Sequence, residues 1–130
     1  LATASLDPRP KTIAARIPSL CNLPMAVELN AEGWKELHSH LQLHPKERAT
    51  VLDTLAYFDN FNLVDTITCP TLVSAAKIDS NHPYRTVVSV FEQIRSFKTL
   101  VVYPDATGGL TSECNVDFNQ HLLEWFRRYL

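Results

Sequence analysis

Two short apolar runs, residues 71–76 and 100–103, bracket a segment in which Tyr84, Val87, Val88, Phe91 and Ile94 fall on one face of a helix. Strands that read as continuous apolar runs are those buried on both faces, and two of them joined through a helix form a parallel βαβ crossover of right-handed sense. The chain is therefore expected to be an α/β protein with a parallel sheet covered by helices. That architecture also fixes where chemistry can be placed, because open parallel sheets bind ligands beyond the carboxyl ends of their strands. The segments to inspect are residues 77–83 and 104–114, and the first carries Asp79.

Around this unit the pattern is simpler. Residues 1–6 suit the tail of a helix, which Pro8 and Pro10 then interrupt, since proline lacks the N–H and restrains its neighbour. Residues 12–17, closed by Pro18, suit a short buried strand. From residue 26 to 58 the period becomes helical, with Trp34, Leu37 and Leu41 on one face, Val51, Leu55 and Phe58 on another, and Pro45 at the start of the second helix. A last amphipathic helix carries Phe118, Leu122, Phe126 and Tyr129 on one side, and Arg127 and Arg128 near its end oppose the helix dipole.

Composition narrows the function. A chain of 130 residues supports one domain with a modest core. With 45% hydrophobic and 20% charged residues it is ordinary for a soluble protein, and no apolar run reaches the length that spans a bilayer, so no membrane association is expected. The formal net charge is −2, with no basic stripe, so nucleic acid is not an expected partner. Cys21, Cys69 and Cys114 lie far apart in an odd number, which favours a reducing, cytoplasmic setting. The opening residues lack the charge and apolar core of a secretory signal, and the first residue is Leu, as expected of a fragment or a processed product.

An acid just past a buried strand suits two roles. Asp79 could orient a histidine in a Ser-His-Asp arrangement, or cap the helix that begins near Pro83. The residues alone leave both open.

Residues 54–87, TLAYFDNFNLVDTITCPTLVSAAKIDSNHPYRTV, resemble the acetyl xylan esterase and cephalosporin C deacetylase family of α/β-hydrolases. The family's Tyr-Phe-Asp and Asn-Leu-x-Asp stretches stand here as Tyr57-Phe58-Asp59 and Asn62-Leu63-Val64-Asp65, followed by Pro70 before the strand and Ile78-Asp79 with Pro83. A weaker likeness extends over most of the chain. It implies the C-terminal part of an α/β-hydrolase fold, about three parallel strands flanked by helices, as a single partial domain over 1–130 with a cap-like helical segment at 26–60 and a βαβα unit at 70–130. It also implies that Asp79 is the triad acid, and that the complete enzyme cleaves acetyl esters of carbohydrates through an acyl-serine intermediate.

The departures from that pattern are as informative. A GxSxG elbow needs glycines four positions apart, and Gly33, Gly108 and Gly109 provide no such pair. Matching to the family puts Leu1 a few residues past the elbow, so the nucleophile and the oxyanion donors beside it are missing. The triad histidine should follow the last strand in a Gly-His pair, yet none of residues 104–114 is histidine and glycine stands in its place. By the family's mechanism this chain alone is expected to be inactive. The two readings are an esterase remnant and a non-catalytic binding or assembly module.

The remaining candidates are weaker. His121 sits inside the last helix, and His82 is expected as a solvated turn residue. His38, His40 and His44 lack an HExxH motif or a cysteine partner, so surface histidines are expected and neither a metal nor another cofactor. Cys69 reads as a small core residue, Cys114 as more exposed, and neither has an evident base to activate it. Asp59 and Asp65 could be paired acids, although helix-end caps explain them. Trp34, Tyr57 and Phe61 could line a cap over the site, although core packing explains them too. If residues 12–17 lose their neighbouring strand, their open edge favours self-association or a complementary N-terminal half, and a monomer in sedimentation counts against that expectation.

Overall fold

In a computed structural model the chain is described over residues 1–105 and 112–130. Helix α1 (Ala2–Leu6) leads into strand β1 (Ile13–Arg16), then α2 (Leu23–Glu28), α3 (Lys35–Leu43) and α4 (Arg48–Ala56). Strand β2 (Thr71–Ala76), helix α5 (Tyr84–Gln93), strand β3 (Lys98–Tyr103) and helix α6 (Ser112–Tyr129) complete it. The three strands form one parallel sheet in the order β1-β2-β3, with Ala14 opposite Leu72 and Val73 opposite Leu100.

β2 is central and buried along its whole length, as its unbroken apolar run requires. Its side chains alternate between two cores because strand residues point to opposite faces in turn. Val73 and Ala75 pack with Val87, Val90 and Ile94 of the α5 segment, joined by Ala4, Cys21, Val64 and Ile67. Leu72 packs on the other face with Phe118 and Trp125 of α6. The sheet is thus covered by helices on both faces.

Several local features fix these elements. The carboxyl end of α5 is closed by Lys98, whose Nζ donates to the carbonyls of Phe91, Glu92 and Ile94 at 2.8, 2.9 and 2.7 Å. A cation there satisfies carbonyls that the helix leaves without partners. β3 begins two residues before its apolar run because Lys98 and Thr99 pair with Thr71 and Leu72 of β2. In α6 the buried aromatics are Phe118 and Trp125, the second donating from Nε1 to Thr12 Oγ1 at 2.7 Å, while Phe126 is only partly buried.

The helical segment differs from its periodicity in one respect. Leu41 is buried and Val51 and Leu55 are half-buried, but Phe58 is 62% exposed, because α4 stops at Ala56 and Phe58 leaves the helical register. Among the described residues no helix is long and apolar enough to cross a membrane. The glycine pair at 108 and 109, where the resemblance expects the triad histidine, lies outside the described residues.

A carboxylate and an imidazole past the central strand

Asp79 lies where the topology predicts, in the turn that leaves the carboxyl end of β2. That turn is held to the sheet by the Lys77 N–H, which donates to the Tyr103 carbonyl at 3.0 Å. Its side chain has no solvent exposure. A buried carboxylate must be met by donors, since an unpaired one costs several kcal/mol. Oδ1 accepts from the backbone N–H groups of Asn81 and His82 at 2.8 and 2.9 Å, and Oδ2 faces His82 Nδ1 at 3.1 Å.

The capping role is not the one it takes. α5 has Pro83 at its N-cap position with no side-chain cap, and the donors to Asp79 belong to the turn before it. Asp79 folds its own turn and holds an imidazole.

His82 is accordingly no freely solvated turn residue. Its side chain is 30% exposed and bonded at both ring nitrogens, to Asp79 through Nδ1 and to Ser19 Oγ through Nε2 at 3.0 Å. A carboxylate only accepts hydrogen bonds, so Nδ1 carries a proton, and in the neutral ring Nε2 is the acceptor. The Ser19 hydroxyl then donates to Nε2. Ser19 was not legible as a partner, because 63 positions separate it from His82.

The segment carrying Ser19 connects β1 to α2 under strain. Ile17, Leu20 and Asn22 have φ of 40, 54 and 49°, the left-handed region that side chains disfavour, most of all a β-branched one. Each such residue costs about 1–3 kcal/mol and persists only where its surroundings over-determine it. The Ile17 N–H donates to Ser74 Oγ on buried β2 at 3.1 Å. Asn60 donates its side-chain amide to the carbonyls of Ser19 and Leu20 at 3.0 and 3.1 Å, and its backbone N–H to Leu20 at 2.9 Å. Asp59, 1% exposed, accepts from the backbone N–H groups of Asn22, Leu23 and Phe61 at 2.8, 2.7 and 2.9 Å. The Asp59-Asn60 pair therefore sets the position of the Ser19 turn.

Ser19 and His82 open onto a cavity of about 260 Å³, walled by Pro18, Trp34 and Pro83. Cys21 also lines it, but burial, reinforced by the negative charge of Asp59, pushes its thiol up to about 12. It stays protonated near neutral pH and is no nucleophile there. Of the three aromatic candidates, Trp34 lines the cavity, Tyr57 is 81% exposed, and Phe61 packs against the core.

The other candidates lie elsewhere. His121 faces Asp117 at 3.5 Å along α6, and the Tyr103 hydroxyl donates to the same carboxylate at 2.9 Å. Burial, then the Asp117 carboxylate, push the Tyr103 phenol upward. Asp65 faces Arg95 at 3.6 Å rather than Asp59. His38 Nδ1 donates to the Val27 carbonyl at 2.8 Å, while His40 and His44 share Glu47 at 2.9 and 3.9 Å. Among the described residues no group of three histidine, cysteine or acidic side chains is arranged to hold a metal ion. Cys69 is buried, and its thiol is pushed up by that burial. Cys114 is half-buried beside Tyr103 and Asp117.

Residues 1–128 match the family model described as acetyl xylan esterase (AXE1). Among curated proteins, the acetyl esterase Axe7A of Xylanibacter ruminicola is 29% identical over 115 residues, which are 88% of this chain and 26% of that protein. The acetyl xylan esterase from Paenibacillus sp. R4 superposes with a TM-score of 0.87 at 24% identity, covering 98% of this chain and 40% of that one. Acetyl xylan esterase 1 from Thermoanaerobacterium sp. JW/SL YS485 gives a TM-score of 0.78 at 25% identity, covering 93% and 40%. A monoacylglycerol lipase from Paleococcus ferrophilus shares the fold at 15% identity with a TM-score of 0.64. The chain thus spans about a quarter of the curated relative and 40% of each of the two solved acetyl xylan esterases.

Proposed function

The chain belongs to the acetyl xylan esterase family, and from that premise we propose that it is the acid-bearing part of a serine hydrolase that removes acetyl groups from carbohydrate. The observation that carries this reading is the Asp79 carboxylate, buried past the central strand and bonded to the Nδ1 edge of an imidazole. An acid so placed fixes the tautomer and orientation of the base, and stabilises the imidazolium that forms when the base takes a serine proton. The family's GxSxG serine is not among these 130 residues. Acetyl transfer by that serine therefore needs residues beyond them.

The test is acetate release from acetylated xylan by a protein in which a GxSxG-bearing family segment precedes this chain. Asp79→Asn is expected to lower kcat by about 10²–10⁴-fold with little change in KM, since the acid acts on the transition state rather than on binding. An unchanged kcat contradicts the role given to Asp79. A second reading, a non-catalytic binding or assembly module, is favoured by one observation: none of residues 104–114 is histidine. No acetate release by the extended protein supports that reading over the first.

A further inference from the structure

We propose that Ser19, His82 and Asp79 form a nucleophile, base and acid relay internal to this chain, reactive toward esters of short carboxylic acids. It rests on the reading of Asp79 as an acid that holds an imidazole. It goes beyond that reading in assigning a nucleophile, Ser19, that lies nowhere near a GxSxG sequence.

Three independent observations carry it. The two hydrogen bonds run in series, 3.0 Å from Ser19 Oγ to Nε2 and 3.1 Å from Nδ1 to Asp79 Oδ2, which are the contacts a nucleophile, its base and the base's orienter must make. Ser19 stands on a strand-to-helix turn with three residues at positive φ, held by buried Ser74, Asp59 and Asn60, so its position is fixed. A turn of that kind presents a hydroxyl at the carboxyl edge of a sheet, as nucleophile elbows do by other residues. Finally, Ser19 is exposed and opens onto the cavity of about 260 Å³ that it shares with His82 and Trp34. That volume lies below the roughly 300–1,000 Å³ of drug-sized pockets, which suits a short acyl group. The half-buried Trp34 offers an apolar wall for the alcohol side of the ester.

In the reaction, Ser19 Oγ bonds to the ester carbonyl carbon while its proton passes to His82 Nε2 and the C=O electron pair moves onto oxygen. Collapse of that adduct breaks the carbon–alkoxy bond, and the departing oxygen takes the proton from Nε2. The acyl group remains on Ser19. Water then attacks it with His82 again taking the proton, releasing the carboxylic acid and restoring the hydroxyl. Asp79 is a positioning residue throughout, touching only the imidazole. An oxyanion hole contributes about 10²–10³ per donor, and none is assigned here, so adduct formation rather than turnover is the quantity to measure.

The experiment exposes the 130-residue chain to an alkyl fluorophosphonate and maps the adduct by mass spectrometry. The tryptic peptide of residues 17–35 contains Ser19 as its only hydroxyl side chain, so the site is assigned without ambiguity. One phosphonyl group on Ser19 is expected, absent in Ser19→Ala. His82→Gln, checked for an intact fold by its thermal midpoint, is expected to slow labelling about 100-fold or more, the scale of general-base assistance. Asp79→Asn is expected to slow it too, measured well below the variant's own thermal midpoint so that unfolding does not account for the change. No adduct on residues 17–35, or equal rates for the parent chain and His82→Gln, overturns the relay. If the relay fails while Asp79→Asn still lowers kcat in the extended esterase, only the assignment of Ser19 falls. If both fail, the reading of Asp79 falls with it.

Discussion

Asp59→Ala is expected to lower the free energy of unfolding by about 3–5 kcal/mol, measured as a shift of the guanidinium unfolding midpoint at constant slope. The side chain of Asp59 is small, so lost packing explains little of that. The effect comes from the three backbone N–H groups it accepts, those of Asn22, Leu23 and Phe61, of which the Leu23 bond is fully buried. Each donor stranded in the interior costs about 1–3 kcal/mol, and bonds to a charged acceptor lie at the strong end. Asp59→Asn is expected to fall between, because one amide oxygen still accepts while its NH2 group faces a backbone donor. A change below about 1 kcal/mol for Asp59→Ala indicates that water replaces the carboxylate without loss, and that the Ser19 turn is held by Asn60 and Ser74 alone.

The second large effect is Phe118→Ala, expected at about 3–5 kcal/mol in the same measurement, the usual range for emptying a buried aromatic site. Phe118 is 2% exposed and packs with Leu72 and Trp125 between α6 and the sheet. Its ring also faces the Arg16 guanidinium at 4.8 Å. That guanidinium donates to Asn115 and Asn119 of α6 at 2.6 and 2.7 Å, so Phe118 and Arg16 together tie the end of β1 to the last helix. Phe118→Leu, which keeps much of the apolar volume, is expected to recover most of the loss. Equal losses for the Ala and Leu variants would mean that ring contacts rather than filled volume hold α6 in place.

What the sequence reveals depends on how local the physics is. The βαβ unit was legible because a strand buried on both faces must be apolar throughout and a half-buried helix must repeat every three or four residues. The bounds Thr71–Ala76 follow directly. Asp79 was legible for the same reason, since its place follows from the strand before it, although the residues left a cap and a triad acid as alternatives. Asp59 was legible only in part. Its bond to the Phe61 N–H is a local cap, but its grip on Asn22 and Leu23 spans 37 and 36 positions.

Ser19 was illegible because Pro18 marks the end of the strand without announcing the left-handed residues around it or the distant histidine it meets. Positive φ at Ile17 and Leu20 runs against the preferences of both residues, and it is imposed by Ser74 and Asn60, which arrive from distant parts of the chain. Phe58 was misplaced for a simpler reason. Its spacing from Val51 and Leu55 continues a helical face, but the helix has already ended.

Asp79 holds an imidazole in the form a base requires, and nitrogen-15 NMR of His82 reads that form out. The expected result is a neutral form that carries its proton at Nδ1, protected from exchange, with Nε2 as the acceptor, and loss of this preference in Asp79→Asn. A ring protonated mainly at Nε2, or one whose tautomers are unchanged by Asp79→Asn, would mean that Asp79 does not orient the imidazole.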